Sequence, residues 1–183
     1  WTCERSESFM SDAHGRDHVT KIEMAATKEG EILAIRTETL ANVGAYLSNF
    51  STATPTFLHG TLMAGPYKVP NVYVNVKTVF TNTVPVDAYR GAGRPEATYS
   101  LERTIDKMCR ELHLDPFEVR RKNLITPEMF PYTTPVGLAY DTGNYGATLD
   151  KAMEIGDVAG FEKRRAASAA KGKLRGMGLS TWI

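Results

Sequence analysis

The residues best suited to chemistry stand together at Tyr89-Arg90-Gly91-Ala92-Gly93-Arg94, immediately ahead of a helix that Pro95 opens. Glycines two apart leave backbone N–H groups free of side-chain obstruction, and a helix N-terminus adds the positive end of its dipole. That combination holds phosphate or another anion. Arg90 and Arg94 add charge, and a guanidinium can grip an oxyanion through paired hydrogen bonds. The same spacing also suits a plain strand-to-helix turn. Neither common nucleotide signature is present: the third glycine and later acidic residue of a dinucleotide site are missing, and no Gly-Lys-Ser or Gly-Lys-Thr closes a P-loop.

Other reactive residue types lack context. His14, His18, His59 and His113 have no spacing that puts two on one helical face, and none stands at ligand distance from a cysteine, so no protein-ligated metal is expected. No Gly-x-Ser-x-Gly elbow offers a nucleophile. Asp12, Asp17 and Glu29 read as turn residues, and Arg120-Arg121-Lys122 as a solvated helix face. Cys3 and Cys109 make neither a CxxC pair nor a disulfide framework. They read as structural or incidental thiols in a reducing compartment, hence the cytoplasm.

The elements that must position the loop follow from periodicity. Residues 18–28 and 32–40 alternate in polarity around Glu29-Gly30 and predict an antiparallel hairpin, broken by a bend at Gly44. Residues 50–64 are at best a short helix. The β-branched and aromatic run Val72 to Phe80 predicts a strand. After the glycine loop, Ala97, Leu101, Ile105, Met108 and Leu112 form one apolar stripe on a helix from Pro95 to Leu112, with Glu96 and Glu102 toward its positive end. Asp115-Pro116 then caps a second helix, Phe117 to Leu124. Residues 126–144, rich in Pro, Thr, Tyr and Gly, read as a linker or long loop. Helices are expected over 147–155 and 161–171, the latter with a basic solvated face, and a strand begins at 176–183.

The 183 residues are 42% hydrophobic and 23% charged with a formal net charge of +1, which describes a globular chain, not a disordered one. Balanced charge supplies no field for holding nucleic acid, and no stretch approaches the roughly 20 apolar residues of a membrane span. The chain opens at Trp1-Thr2-Cys3 and stops inside an apolar run, Leu179 to Ile183, which reads as a piece of a longer polypeptide.

Ala88-Tyr89-Arg90-Gly91-Ala92-Gly93-Arg94-Pro95-Glu96-Ala97, with Glu102 and then Leu114 to Leu124, resembles the molybdenum-binding large subunit of the xanthine dehydrogenase and aldehyde oxidase family. Glu4 to Glu7, His14-Gly15-Arg16, Ala41 to Ala45 and Gly65 to Asn71 extend the likeness over essentially the whole chain. The loop looks most like the second form of aerobic carbon monoxide dehydrogenase large subunit. The resemblance implies an α+β fold, a mixed or antiparallel sheet packed by helices. Residues 1–125 would close a first molybdopterin-binding domain, 126–146 would link, and 147–183 would begin a second.

It implies a hydroxylase of an aldehyde, an N-heterocycle or a related small molecule, with water as the oxygen source. The intact subunit would carry molybdenum on molybdopterin cytosine dinucleotide and pass electrons to iron–sulfur and FAD subunits. Tyr89, Arg90, Gly91, Ala92 and Gly93 would line the cofactor, with Arg90 packing beside the pterin. The chain would supply no metal ligand and no catalytic residue, and alone it would not turn over. Gly91 stands where the copper-containing carbon monoxide enzymes place a cysteine, so no copper bridge is implied. Ala92 replaces the phenylalanine of the purine-oxidising members, and the purine-anchoring arginine is absent near Leu58, which points away from a purine. The competing reading is a non-catalytic structural or subunit-contact module whose glycine loop only turns the chain.

Overall fold

The computed structural model describes all 183 residues. After a short helix α1 (Arg5–Ser11), strands β1 (His18–Ala26) and β2 (Ile32–Gly44) pair antiparallel, Val19 opposite Leu40 and Met24 opposite Ile35. β1 alternates half-buried with exposed residues along its whole length, as a strand with one solvated face must. β3 (Asn71–Phe80) joins the other side of β2 in parallel, Ile35 opposite Val72, giving a mixed sheet of order β1-β2-β3. Parallel pairing requires a crossover. The segment 45–70 provides it, with a π-helical turn at Thr54–Leu58.

Helix α2 (Arg94–Leu112) packs across β1. Its buried face is Ala97, Leu101, Glu102, Ile105 and Cys109. The expected stripe is therefore right at its centre but rotated at its end: Met108 is only partly buried and Leu112 is exposed, because Cys109 and Glu102 take the inner positions. Ile32, Ile35, Met63, Tyr67, Leu101 and Ile105 form the centre of the core. α3 (Pro116–Asn123) starts at Asp115, whose carboxylate accepts from the Phe117 and Glu118 amides at 2.7 and 3.0 Å.

Two expectations need correction. Arg120 is not on a solvated face. It is 0% exposed, and its guanidinium pairs with Glu102 at 2.8 Å and Asp106 at 2.9 Å. The α3 face that meets α2 takes Arg120 inward while Arg121 pairs with Asp150 near the surface. Residues 176–183 form no strand. They run as an irregular segment whose Leu179 carbonyl accepts from Arg120 and whose Thr181 hydroxyl donates to Glu102, so side chains of α2 and α3, not a neighbouring strand, satisfy it.

The 126–144 segment carries more order than its composition suggests: a 3₁₀ turn at Pro127–Met129 and a two-stranded ladder of β4 (Tyr132–Thr133) with β5 (Ala139–Tyr140). The Tyr140 hydroxyl, within that segment, donates to the Gly65 carbonyl at 2.9 Å. Helices α4 (Tyr145–Ile155) and α5 (Phe161–Ala169) follow where expected.

Candidate functional site

The glycine loop is fixed from four directions. Upstream, the Asn42 amide nitrogen donates to Asp17 and Thr83 at 2.8 and 2.9 Å, and its oxygen accepts from the Gly44 amide and the Thr81 hydroxyl, each at 2.7 Å. This one side chain ties the end of β2 to the approach of the loop. Next, Val86 bridges to His14, with the His14 amide donating to the Pro85 carbonyl at 2.9 Å. Asp87 accepts from the Ser48 hydroxyl and from the Phe50 and Ala88 amides, and the Ser48 bond does most to hold its carboxyl below the usual range.

At the loop itself, the Arg16 guanidinium lies 4.6 Å over the Tyr89 ring and donates to the Arg90 carbonyl. Such stacking of a cation on a ring face is attractive by roughly 0.5–1 kcal/mol at exposed sites. Finally, Gly93 sits against the backbone of Leu58 and His59, where a Cβ would come within 2.5 Å of the Leu58 carbonyl carbon and 2.6 Å of the His59 nitrogen. Its φ is +84° and that of Gly91 is +95°. A Cβ at Gly91 would come within 2.9 Å of the Pro95 ring, so both positions demand glycine on conformation and on space.

The result is a turn in which the Ala92 amide bonds the Tyr89 carbonyl at 2.7 Å and the Arg94 amide bonds Gly91 at 3.1 Å, while the amides of Arg90, Gly91 and Gly93 donate to nothing in the chain. Tyr89 is 64% exposed and Arg90 is also exposed, with its guanidinium making no hydrogen bond or ion pair. The free amides of Arg90 and Gly91 and a free guanidinium thus stand ahead of the N-terminus of a 19-residue helix, with Gly93 buried behind them. The donor set suits an extended, polyanionic or oxygen-rich group and offers no metal ligand. Among the 183 residues no cluster of three or more His, Cys, Asp or Glu could hold a metal ion.

The five residues predicted for the site, Tyr89 to Gly93, are contiguous and form the turn. Sequence reasoning missed its supports: Asn42, Asp87, Arg16 and the His59 backbone, each more than 30 residues from its partner or hidden in an ordinary-looking turn. The His14-Gly15-Arg16 signal was visible, but nothing local said that Arg16 reaches Arg90. Nor did spacing show that His18 and His59 meet, their ring centroids 5.1 Å apart and edge to face.

The chain belongs to the molybdopterin cofactor-binding domain family, whose model matches residues 1–124. It is 36% identical over 190 residues to the carbon monoxide dehydrogenase large chain of Hydrogenophaga pseudoflava, covering 100% of this chain and 23% of that protein. It is 30% identical over 193 residues to the nicotine 6-hydroxylase large subunit of Paenarthrobacter nicotinovorans, covering 100% and 22% respectively. Among solved structures, quinoline 2-oxidoreductase from Pseudomonas putida 86 matches with a TM-score of 0.86 and 31% identity over 94% of this chain and 22% of that one. The chain thus spans less than a quarter of the length of these relatives. No helix is long and apolar enough to cross a membrane.

Proposed function

We propose that this chain is the part of a molybdenum hydroxylase large subunit that grips the pterin cofactor through Tyr89, Arg90, Gly91, Ala92 and Gly93. The observation that carries the reading is the set of unpaired donors on the turn: the amides of Arg90, Gly91 and Gly93 beside an unpaired guanidinium. Arg90 and the amides would hold and orient the pterin, and the buried backbone contact at Gly93 would keep that surface rigid while it does so. When bound, the cofactor supplies the two-electron oxidation of substrate with water as the oxygen source. The cytosine dinucleotide form, with FAD and iron–sulfur clusters on partner subunits in the cytoplasm, completes the proposal. So does a division at 126–146 between a first and a second molybdopterin-binding domain.

The substrate class we favour is an N-heterocycle or aldehyde. Quinoline and nicotine in the names of two relatives support it, and so does Gly91, which puts no thiol at the turn; the two cysteines are Cys3, exposed near the N-terminus, and Cys109, buried far along α2. The test is Arg90→Ala in the intact subunit, followed by molybdenum analysis and circular dichroism. We expect an unchanged fold and loss of most of the molybdenum. Full molybdenum content with full activity would make the loop a structural turn.

A further inference from the structure

Three successive carbonyls set the shape of the turn. Those of Tyr89 and Gly91 are held by amides of the turn itself, Ala92 at 2.7 Å and Arg94 at 3.1 Å. The Arg90 carbonyl between them has no amide partner, and the guanidinium of Arg16, 74 residues away in the chain, donates to it instead. The Arg90–Gly91 peptide is trans, and in a planar trans peptide the N–H points to the side opposite the C=O. With the carbonyl turned to Arg16, the Gly91 amide is aimed away from it, and that amide donates to nothing in the chain.

Arg16 is itself braced. Its guanidinium carbon lies 4.6 Å from the centroid of the Tyr89 ring, and its Nε lies 3.8 Å from Glu96 Oε1 in the first turn of α2, within ion-pair range. Its backbone sits in the left-handed region at φ +59°, where a residue with a side chain is strained and persists only when its surroundings fix it. The preceding Gly15 lets this turn lie flush against the loop, since a Cβ there would come within 2.6 Å of Tyr89 Cβ. Arg90 is exposed, so water would satisfy its carbonyl; a guanidinium brought up from a strained residue also fixes the direction of that carbonyl. Accepting from a cation polarises the peptide as well, which makes the N–H at its other end a stronger donor.

We propose that the Gly91 amide is the donor that receives a negatively charged oxygen of the bound cofactor, and that Arg16 is the positioning residue that aims it through the Arg90–Gly91 peptide. The inference rests on the cofactor reading above and narrows it to one peptide plane. The neighbouring Arg90 amide belongs to the Tyr89–Arg90 peptide, whose carbonyl Ala92 anchors without help from Arg16. It is therefore the internal reference: what Arg16 does should be felt at Gly91 and not at Arg90.

The experiment uses the intact subunit with Arg16→Met, Arg16→Lys and, as reference, Arg90→Ala. Molybdenum content, circular dichroism and residue-resolved hydrogen exchange are read, the last on loaded and stripped protein. In the parent, loading is expected to slow the Gly91 amide by about tenfold or more. Arg16→Met is expected to keep its circular dichroism and, in its molybdenum-loaded fraction, to lose the slowing at Gly91 while the Arg90 amide keeps its own. Arg16→Lys, which restores a cationic donor, recovers Gly91. Parent slowing of Gly91 in Arg16→Met, or an equal loss at Arg90 and Gly91, overturns the proposal. A crystal structure of stripped Arg16→Met gives the answer without loading: the Arg90–Gly91 peptide is expected to turn over, and one that keeps the parent orientation overturns the proposal too. If no amide of the turn slows on loading the parent and Arg90→Ala keeps its molybdenum, the cofactor reading falls and this inference with it.

Discussion

Removing Glu102 should be far more damaging than its mid-helix position suggests, and removing Arg120 together with it should be far less so. One Glu102 oxygen accepts from Tyr67 at 2.6 Å and Thr181 at 2.7 Å, the other from Arg120 Nε at 2.8 Å. Arg120, with no exposed surface, would be left with Asp106 at 2.9 Å and the carbonyls of Pro116, Leu179 and residue 102 itself at 3.2, 3.3 and 3.4 Å. Burial opposes its charge, and the Glu102 carboxylate, with help from Tyr67 and Asp106, more than offsets that opposition. Stranding one member of a buried pair costs about 3–5 kcal/mol, and the surviving Asp106 contact keeps the loss near about 3 kcal/mol. Glu102→Ala should therefore lower the urea midpoint of the 183-residue chain by about 1.5 M, taking a slope of about 2 kcal/mol per molar. The pair Glu102→Leu with Arg120→Met removes both charges, and the Thr181 hydroxyl, released from Glu102, can donate to the Tyr67 oxygen 2.9 Å away. That variant should lie within about 1–2 kcal/mol of the parent, since well-packed apolar residues replace buried ion pairs at little cost. Equilibrium unfolding of the two singles and the double measures this directly. A Glu102→Ala loss under about 1 kcal/mol, or a double variant as weak as the sum of the singles, refutes the reasoning.

Other consequences follow from the same contacts. The folded chain binds fewer protons than the unfolded chain between pH 6.5 and about 4, because burial depresses His59 across that window. Stability is accordingly full above pH 6.5 and falls on acidification, by about 3 kcal/mol at pH 4 from this group; urea midpoints against pH should show the fall, and His59→Leu should flatten it. An unchanged slope in that variant contradicts the assignment. Gly93→Ala should cost about 2–4 kcal/mol, combining positive-φ strain with a backbone clash that no side-chain movement relieves; a midpoint within error of the parent would mean that the loop lies elsewhere.

The parts of the fold written in local pattern were legible. Alternation gave β1 and β2, Pro95 with the apolar stripe gave α2, and Asp115-Pro116 gave the start of α3. What could not be read was decided at long range. Parallel pairing of β3 on β2 depends on a 26-residue crossover, and no local period encodes it. Arg120 has the same residue type as Arg121, yet one turns inward because Glu102 and Asp106 wait there; a charge run shows no such difference. The segment 176–183 has strand-like composition, yet its Leu179 and Ile183 carbonyls accept from the Arg120 and Arg94 side chains, contacts that no local pattern announces. The loop Tyr89 to Gly93 was legible because its glycines are a conformational requirement, while its supports Arg16, Asn42 and Asp87 were invisible because each works through partners distant in the chain.

The central claim is that the bare amides of Arg90, Gly91 and Gly93 face the cofactor. Residue-resolved hydrogen exchange on the intact subunit, with its cofactor and stripped of it, tests that most directly. The account predicts that these three amides, unbonded in the chain itself, slow by about tenfold or more on loading. Equal rates in the two forms, with new protection appearing only at other segments, would contradict it.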